Sequence, residues 1–237
     1  MATSGYVQLP DAKLYYETYG SGHPILLLHG NGQAIDAFNY QIPQLAKHFL
    51  VIVVDTRGHG KSTDDTATPL SYGLFADDMK QLLDELQIPN THILGWSDGG
   101  ITGLIMAIKY PQYVSKLATM GANIFPGGDA LLPAFFNHAQ TSAHRLMLKT
   151  DAASKQQLRL LTLMLTEPQL TFNDLKAIKC PVLIMAGEDD IILESHTRAV
   201  ADAIPNSTLI IFKEAGHSAP VEIPERFNEA VIDYLNR

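Results

Sequence analysis

The sequence predicts an α/β protein with a mostly parallel sheet covered by helices on both faces. Short apolar runs without polar alternation recur along the chain, as expected of strands that are buried on both sides. Segments with helical periodicity lie between these runs, and this alternation is typical of right-handed parallel crossovers. The 237 residues, 46% of them hydrophobic and 18% charged, are enough for one large domain with a substantial core.

The predicted elements follow in chain order. The first twenty residues predict a hairpin, with strands at 6–9 and 13–19 around a turn at Pro10-Asp11. Six further strands are predicted at Ile25–Leu28, Phe49–Val54, His92–Leu94, Leu117–Met120, Val182–Met185 and Thr208–Phe212. Helices are predicted where apolar residues recur every three or four positions, at Phe75–Leu86, Ile101–Tyr110, His196–Ile204 and Glu225–Leu235. Together these segments predict an eight-stranded sheet.

Residues 124–172 interrupt this alternation. They contain no strand pattern, only apolar helical pieces at 131–149 and 155–166. Open parallel sheets bind ligands at the carboxyl ends of their strands, where this segment must leave and return. We therefore expect a small helical lid at 124–172, inserted into a core domain formed by residues 1–123 and 173–237. The alternative is that the segment is another part of the core.

Charge and composition exclude several classes of function. Seventeen Lys and Arg against 25 Asp and Glu give a net charge of −8 with no basic cluster, which argues against nucleic-acid or membrane partners. No secretory signal is present, nor an apolar run of the about 18 residues that a membrane-spanning helix needs. We therefore expect a cytoplasmic protein, and we expect it to be a monomer or a homodimer. Cys180 is the only cysteine and has no metal-ligand spacing around it, which predicts a buried structural thiol. We expect neither a metal nor an organic cofactor.

The segment Gly95–Gly99 (GWSDG) fits the pattern G-x-S-x-G. It lies between the predicted strand at 92–94 and a helix that begins near Gly100, which is the context that this motif requires. A tight strand-to-helix turn lifts the serine hydroxyl above the sheet, and the helix N-terminus stabilises negative charge that develops nearby. These features predict Ser97 as a nucleophile, with a chance match as the alternative.

A serine hydroxyl needs a base, and the base needs a carboxylate that orients it. His217 follows the last predicted strand on a loop and is the candidate base, whereas Asp189 and Asp190 both follow the strand at 182–185. The chain order serine, aspartate, histidine is that of one known triad arrangement. The alternative is a solvated loop carboxylate and a surface imidazole. The other histidines are expected to be structural in glycine-rich turns (His29, His59) or surface and lid residues (His23, His48, His92, His138, His144, His196).

The glycine-rich loop His29–Gly32 follows the predicted strand at 25–28. Such a loop can direct a backbone N–H at a reacting carbonyl oxygen, and the residue after the nucleophile supplies a second donor. The N–H groups of Asn31 and Asp98 are therefore the predicted oxyanion hole. A phosphate-binding loop is disfavoured because neither G-x-G-x-x-G nor a P-loop lysine is present.

Together these parts resemble the α/β-hydrolase fold family along the whole chain. Asp55–Ser62 resembles the family's D-x-R-G-x-G-x-S turn, and Gly187-x-x-Asp190 resembles its acid motif, which favours Asp190 over Asp189. The segments Gly95–Thr102, Lys109–Pro111 and Gly121–Asn123 are similar to the biphenyl-hydrolase-like α-amino-acid ester hydrolases of the valacyclovir hydrolase type. The resemblance implies an α/β-hydrolase fold and a Ser97-His217-Asp190 catalytic triad.

Asp98 and Trp96 flank the candidate nucleophile and are the candidate substrate-binding residues. A carboxylate about 5 Å from a forming oxyanion repels it by a few kcal/mol, so Asp98 is expected to face a cationic substrate group. In the family that this region resembles, the matching acidic residue binds the substrate's α-ammonium group. The alternative is that Asp98 caps the helix or faces solvent. Trp96 is expected to form a pocket wall or to pack in the core.

The resemblance also limits the classes of reaction that we expect. Haloalkane- and epoxide-cleaving relatives use aspartate at the nucleophile position, where this chain has Ser97, and Asn123 occupies a site where some relatives carry the acid. We therefore expect a serine esterase that cleaves a small carboxylic ester, including α-amino-acid esters, through an acyl-enzyme. The alternatives are a C–C bond hydrolase or a cofactor-free perhydrolase with the same triad, and a non-catalytic receptor for a small ligand.

Overall fold

The structure, a computed structural model, describes residues 2–66 and 68–237. Its strands are β1 (Thr3–Gln8), β2 (Ala12–Gly20), β3 (Pro24–Leu28), β4 (Leu50–Val54), β5 (Thr63–Asp64), β6 (Thr91–Trp96), β7 (Val114–Met120), β8 (Val182–Asp189) and β9 (Ser207–Gly216). Its α-helices are α1 (Ile42–Leu45), α2 (Tyr72–Glu85), α3 (Asp98–Lys109), α4 (Pro133–Met147), α5 (Ala152–Thr166), α6 (Glu194–Ala203), α7 (Ala219–Glu222) and α8 (Pro224–Asn236).

Eight strands form one sheet in the order β1-β2-β4-β3-β6-β7-β8-β9, and the short β5 pairs with β2. All pairs from β4 to β9 along this order are parallel, whereas β2 pairs antiparallel with β1, β4 and β5. The predicted α/β-hydrolase fold, with its mostly parallel eight-stranded sheet, is confirmed. Because the strands β3, β4, β6, β7, β8 and β9 run in one direction, their carboxyl ends meet at one edge of the sheet.

Two layers of helices cover the sheet because its central strands are apolar on both faces. Along β3, Leu26 and Leu28 belong to the core cluster that contains α2, α3 and α6. Ile25 and Leu27 point the other way, into the cluster that contains α1 and α8. Alternate side chains of a strand face opposite sides of a sheet, so a strand buried on both sides needs an unbroken apolar run.

The segment 124–172 connects β7 to β8 and contains α4 and α5, which overlap the two predicted helical pieces. Leu160 and Leu163 of α5 are buried against the main core. Met147 and Leu148, at the turn between the two helices, are 61% and 87% exposed. The apolar composition of this segment therefore serves partly for core packing and partly leaves side chains in solvent.

Two histidines lie elsewhere than the sequence indicated. His92 and His196 were predicted at the surface or in the lid, and both are buried. His92 lies within β6 and bonds through Nδ1 to the hydroxyl of Ser115, 2.7 Å away. His196 lies on α6, and its Nε2 accepts a hydrogen bond from the Ile124 N–H at 3.2 Å. Burial lowers the pKa of each imidazole to about 4, so both are neutral structural groups.

Candidate active site

Ser97 lies in the turn between β6 and α3, at the carboxyl edge of the sheet. Its backbone has φ 55° and ψ −117°, a conformation that costs a non-glycine residue of the order of 1–3 kcal/mol. The Ser97 N–H donates to the Met120 carbonyl at 2.7 Å, and the Ser97 carbonyl accepts from the Ile101 N–H at 3.0 Å. The turn is thereby fixed to β7 on one side and to the first turn of α3 on the other.

Close backbone packing explains the two glycines of the motif. A Cβ atom at Gly99 would lie 1.9 Å from the Leu28 carbonyl oxygen, and one at Gly95 would lie 2.2 Å from the Gly99 carbonyl oxygen. Only glycine permits these approaches. The sharp turn at Ser97 therefore depends on the absence of side chains two residues before and two residues after the serine.

His217 and Asp190 form a hydrogen-bonded pair at the ends of β8 and β9. Asp189 pairs with Gly216 in the sheet, so the next residue of each strand, Asp190 and His217, emerges beside the other. His217 Nδ1 lies 2.7 Å from Asp190 Oδ1. Because a carboxylate only accepts, Nδ1 carries the proton and Nε2 is left as an acceptor.

Asp190, rather than Asp189, is the partner of His217. The Asp190 side chain is 1% exposed, and it also accepts the N–H groups of Ile192 at 3.0 Å and Gly187 at 3.3 Å. Asp189 is exposed. Successive side chains at the end of an extended strand point to opposite sides, so Asp190 turns inward while Asp189 turns toward solvent.

The His217-Asp190 pair lies against the strand end that also holds Ser97. A Cβ atom at Gly121, which has φ +62°, would lie 2.6 Å from His217 Nδ1 and 3.2 Å from Asp190 Oδ2. Gly121 directly follows Met120, whose carbonyl accepts the Ser97 N–H. Within residues 2–66 and 68–237, no hydrogen bond joins the Ser97 hydroxyl to His217. Serine-histidine hydrogen bonds are often long in free enzymes and shorten when substrate binds.

Trp96 connects the nucleophile turn to the histidine turn. Its indole N–H donates to the His217 carbonyl at 2.8 Å, and its side chain is buried in the core. The Gly216 N–H donates to the Glu222 carboxylate at 2.6 Å on the other side of His217. These contacts hold the backbone of the histidine turn, so Trp96 positions His217. That Trp96 also contacts substrate stays a prediction.

The loop His29–Gln33 lies next to Ser97, since a Cβ atom at Gly30 would lie 3.2 Å from the Ser97 Cβ. Most backbone N–H groups of this loop donate hydrogen bonds within the protein. Gly30 donates to the Gln33 side chain at 2.8 Å, Gln33 donates to the Gly30 carbonyl at 3.2 Å, and Gly32 donates to His59 Nε2 at 3.1 Å. In the described part of the chain, the Asn31 N–H has no acceptor, and the same holds for the Asp98 N–H at the start of α3.

Two buried histidines hold this loop, as expected of structural residues. His29 Nδ1 donates to the Gly30 carbonyl at 2.8 Å, and its Nε2 accepts the Thr56 N–H at 3.0 Å. Burial lowers the pKa of His29 to about 3 and also lowers the pKa of His59. Both rings are therefore neutral acceptors near pH 7. His59 belongs to the D-x-R-G-x-G-x-S turn, so that turn supports the loop that carries Asn31.

Asp98 is a buried carboxylate, 5% exposed, beside the nucleophile. Its Oδ2 accepts the Asn31 side-chain amide at 2.9 Å, and the same amide donates to the Leu160 carbonyl of α5 at 3.0 Å. Burial raises the pKa of Asp98 to about 6, although the nearby Asn31, Tyr72 and His217 side chains each favour the ionised form. Asp98 is thus ionised at pH 7 at an energetic cost.

Local sequence patterns do not identify Tyr72, which lies near Asp98. Tyr72 begins α2 and is fully buried, and it favours the ionised form of Asp98. In the sequence, Tyr72 is one apolar residue at the start of an amphipathic helix. Only the packing of α2 against α3 brings it to the nucleophile turn.

The described residues show neither a cluster of metal ligands nor a membrane-spanning helix. Among residues 2–66 and 68–237, no group of three or more His, Cys, Asp or Glu side chains could hold a metal ion. In those residues no helix is long and apolar enough to cross a membrane. Cys180 is half-buried, and its burial raises the pKa of the thiol to about 11, so it is an unreactive thiol.

Comparison with known proteins agrees with this architecture. A family model described as alpha/beta hydrolase fold matches residues 23–158. Mouse serine hydrolase BPHL is 30% identical over 98% of this chain and 86% of its own length. The 2-hydroxy-6-oxononadienedioate/2-hydroxy-6-oxononatrienedioate hydrolase of Paraburkholderia phymatum is 30% identical over 100% of this chain and 96% of its own length. The resemblance to BPHL that the nucleophile region indicated is confirmed.

Solved structures show the same fold. Est816, described as an N-acyl homoserine lactone degrading enzyme, superposes with a TM-score of 0.80 at 26% identity, over 97% of this chain and 100% of its own. The enol-lactonase of Burkholderia xenovorans LB400 superposes with a TM-score of 0.82 at 21% identity, over 98% and 100% of the two chains. The chain therefore belongs to the α/β hydrolase fold family.

Proposed function

We propose that this protein is a serine hydrolase that cleaves a small carboxylic ester through an acyl-enzyme. The observation that carries the proposal is the hydrogen-bonded pair of His217 and the buried Asp190. The pair lies against Gly121, and the carbonyl of the preceding residue, Met120, accepts the Ser97 N–H. A strained serine, a histidine with a free Nε2 and a buried carboxylate are the three groups that this chemistry needs.

In the proposed mechanism, Ser97 Oγ attacks the ester carbonyl while His217 Nε2 takes the hydroxyl proton. Asp190 holds the imidazole in the Nδ1–H tautomer and stabilises the imidazolium that forms. The proton then passes to the leaving alcohol, and an acyl-enzyme remains on Ser97. Water, activated by the same Nε2, attacks the acyl carbonyl and releases the carboxylic acid with regeneration of the serine.

The N–H groups of Asn31 and Asp98 are the proposed oxyanion donors. Both lack an acceptor in the described part of the chain, so neither must break an internal hydrogen bond to receive the developing charge. Preorganised donors of this kind stabilise a transition state without reorganisation, at about 3–4 kcal/mol per donor. The N-terminus of α3 adds a favourable dipole at the same point.

The Asp98 carboxylate suggests the substrate class. An ionised carboxylate beside the oxyanion opposes the reaction unless a cation neutralises it, and burial already raises its pKa to about 6. A substrate ammonium would neutralise the carboxylate, which removes its repulsion of the oxyanion and the cost of a buried charge. An α-amino-acid ester carries that ammonium next to the reacting carbonyl. By the same reasoning, a dianion such as the dioate in the name of the Paraburkholderia relative would be repelled here.

We assign the segment 124–172 as a lid over this site. Three contacts join α5 to the loops around the nucleophile. The Gln156 amide donates to the Gly58 carbonyl at 3.0 Å, Arg159 pairs with Asp64, and the Leu160 carbonyl accepts from Asn31. The last contact links the lid directly to the residue whose N–H is the proposed oxyanion donor.

The test compares the wild type with Ser97→Ala on p-nitrophenyl acetate. The proposal predicts that hydrolysis falls to the uncatalysed rate in the variant, and retained activity would end the mechanism. Valyl methyl ester and its N-acetyl derivative then test the ammonium assignment. The proposal predicts faster hydrolysis of the free amine, and loss of that difference in Asp98→Asn. Equal rates on both esters in the wild type would remove Asp98 from substrate binding.

A further inference from the structure

The side-chain amide of Asn31 joins three segments of the proposed site. Its Nδ2 donates to Asp98 Oδ2 at 2.9 Å and to the Leu160 carbonyl at 3.0 Å. Asp98 begins α3 directly after the nucleophile, and Leu160 lies on α5 of the proposed lid. An amide NH₂ group has two hydrogens, so these two bonds use both. The nucleophile turn, the lid and the loop His29–Gln33 therefore meet at one side chain.

The backbone of Asn31 is held by few other contacts. Asn31 occupies a corner of the turn that the Gln33 N–H closes on the Gly30 carbonyl at 3.2 Å. Its two neighbours are glycines, and Gly32 has φ +69°, so the backbone on both sides has high conformational freedom. Among residues 2–66 and 68–237, the two side-chain hydrogen bonds are the only ones that Asn31 forms. The position of its N–H thus depends on these two bonds.

The lid helix α5 packs against the site with one face. Leu160 and Leu163 of this face are buried in the main core, and the Gln156 amide, one turn earlier, donates to the Gly58 carbonyl at 3.0 Å. The bond between Asn31 and the Leu160 carbonyl has the same chemistry and the same length. Of these two bonds, the one to Asn31 ends on the residue whose N–H is a proposed oxyanion donor. Packing of α5 and placement of that donor are therefore joined through one hydrogen bond.

We propose that the Asn31 side chain is a positioning residue that makes the oxyanion hole depend on the packed lid. The proposal rests on the function proposed above. While α5 is packed on the site, Asp98 and the Leu160 carbonyl hold the amide from two sides and fix the Asn31 N–H. When α5 moves away, the turn between the two glycines is free to displace that donor. An oxyanion donor acts mainly in the transition state, so its displacement lowers kcat with little change in KM.

The experiment measures kcat and KM for p-nitrophenyl acetate, which has no ammonium that could contact Asp98. The variant Asn31→Leu keeps the branched shape of the side chain and the backbone N–H, and it removes both hydrogen bonds. Loss of one oxyanion donor costs about 100- to 1000-fold in kcat. A displaced donor should therefore cost about tenfold or more in kcat, with KM within about threefold of wild type.

Gln156→Met is the matched control, because it removes an amide-to-carbonyl hydrogen bond of equal length between α5 and a loop. It should keep kcat within about twofold of wild type. Amide hydrogen exchange in α5 should be faster than wild type in both variants, because each loses a bond that holds the helix. The two variants together separate a loosened lid from a displaced donor.

Wild-type kcat in Asn31→Leu, an equal loss of kcat in Gln156→Met, or unchanged exchange of α5 in Asn31→Leu would overturn the inference. Asn31 is half-buried, so the variant should fold, and circular dichroism checks this. If it does not fold, Asn31→Ser, whose shorter side chain cannot span both partners, is measured against the same expectations. If the wild type hydrolyses the ester and Asn31→Leu matches it, the serine hydrolase stands and this inference fails. If the wild type hydrolyses no ester, both fail.

Discussion

Replacing Asp98 by asparagine should stabilise the protein while it removes the proposed ammonium site. Asparagine keeps the shape of the side chain, and its carbonyl oxygen can accept the amide of Asn31, which now donates to Asp98 Oδ2 at 2.9 Å. Its NH₂ group can donate to the unpartnered Tyr72 oxygen. The substitution therefore removes a buried charge without leaving a new unsatisfied donor.

The expected size of the effect follows from the raised pKa of Asp98. Burial raises it from 3.8 to about 6, and each pH unit corresponds to about 1.4 kcal/mol. Ionised Asp98 therefore destabilises the folded state by about 3 kcal/mol above pH 6. Because the folded pKa is the higher one, this penalty is absent well below pH 3.8, grows between pH 3.8 and 6, and is complete above that range. At pH 5 about half of it remains.

Thermal unfolding at pH 8 and pH 5 measures this difference. For a chain of this length, 3 kcal/mol corresponds to a rise in Tm of roughly 6–12 °C at pH 8, with about half that rise at pH 5. The control is Asp202→Asn, because Asp202 is exposed on α6, and its Tm should match wild type at both values. A variant that is less stable than wild type at pH 8, or an equal gain at both pH values, would refute the reasoning.

Three further substitutions test the backbone and ion pairs that support the site. Ser97→Gly should be more stable than Ser97→Ala by about 1 kcal/mol in urea unfolding, because only glycine relaxes at φ 55°. Gly121→Ala should lower kcat on p-nitrophenyl acetate strongly, since its Cβ would lie 2.6 Å from His217 Nδ1. Arg57→Met should cost about 3–5 kcal/mol of unfolding free energy, because it leaves the fully buried Asp78 without its ion pair at 2.7 Å.

Each of these predictions has a contrary result. Equal stability of the two Ser97 variants would mean that this turn stores no strain. The comparison for Gly121→Ala is Gly127→Ala, where a Cβ meets nothing within 4 Å. Wild-type turnover by Gly121→Ala would show that the position of His217 does not affect catalysis. A loss below about 1 kcal/mol for Arg57→Met would show that the carboxylates protonate or rearrange at little cost.

The parts of the fold that could be predicted are those with a long periodic signal. The strand β3 has four consecutive apolar residues after Pro24. Burial of a strand on both faces requires that pattern. The helices α1 and α7 have four residues each, and β5 has two. Segments this short carry no periodicity, so they were missed. Their positions depend on the larger elements against which they pack.

The candidate site could be predicted to a similar degree. Ser97 has a local motif, and His217 follows a strand, so both can be proposed from the chain alone. The strand signal alone serves Asp189 and Asp190 equally, and only the resemblance of Gly187-x-x-Asp190 to the family's acid motif favoured Asp190. The register of β8 against β9, where Asp189 pairs with Gly216, is the structural reason that Asp190 meets His217. Tyr72 could not be found at all, because only the packing of α2 against α3 brings its side chain near Asp98.

Reaction with a fluorophosphonate tests the central claim most directly, since it requires an activated serine hydroxyl but no knowledge of the natural substrate. Intact mass spectrometry followed by peptide mapping locates the adduct. We expect one phosphonyl group on Ser97 in the wild type, and a rate of labelling lowered by orders of magnitude in His217→Ala. Folded wild-type protein that stays unlabelled, or that is labelled at another residue, would contradict the assignment of Ser97 as a nucleophile activated by His217.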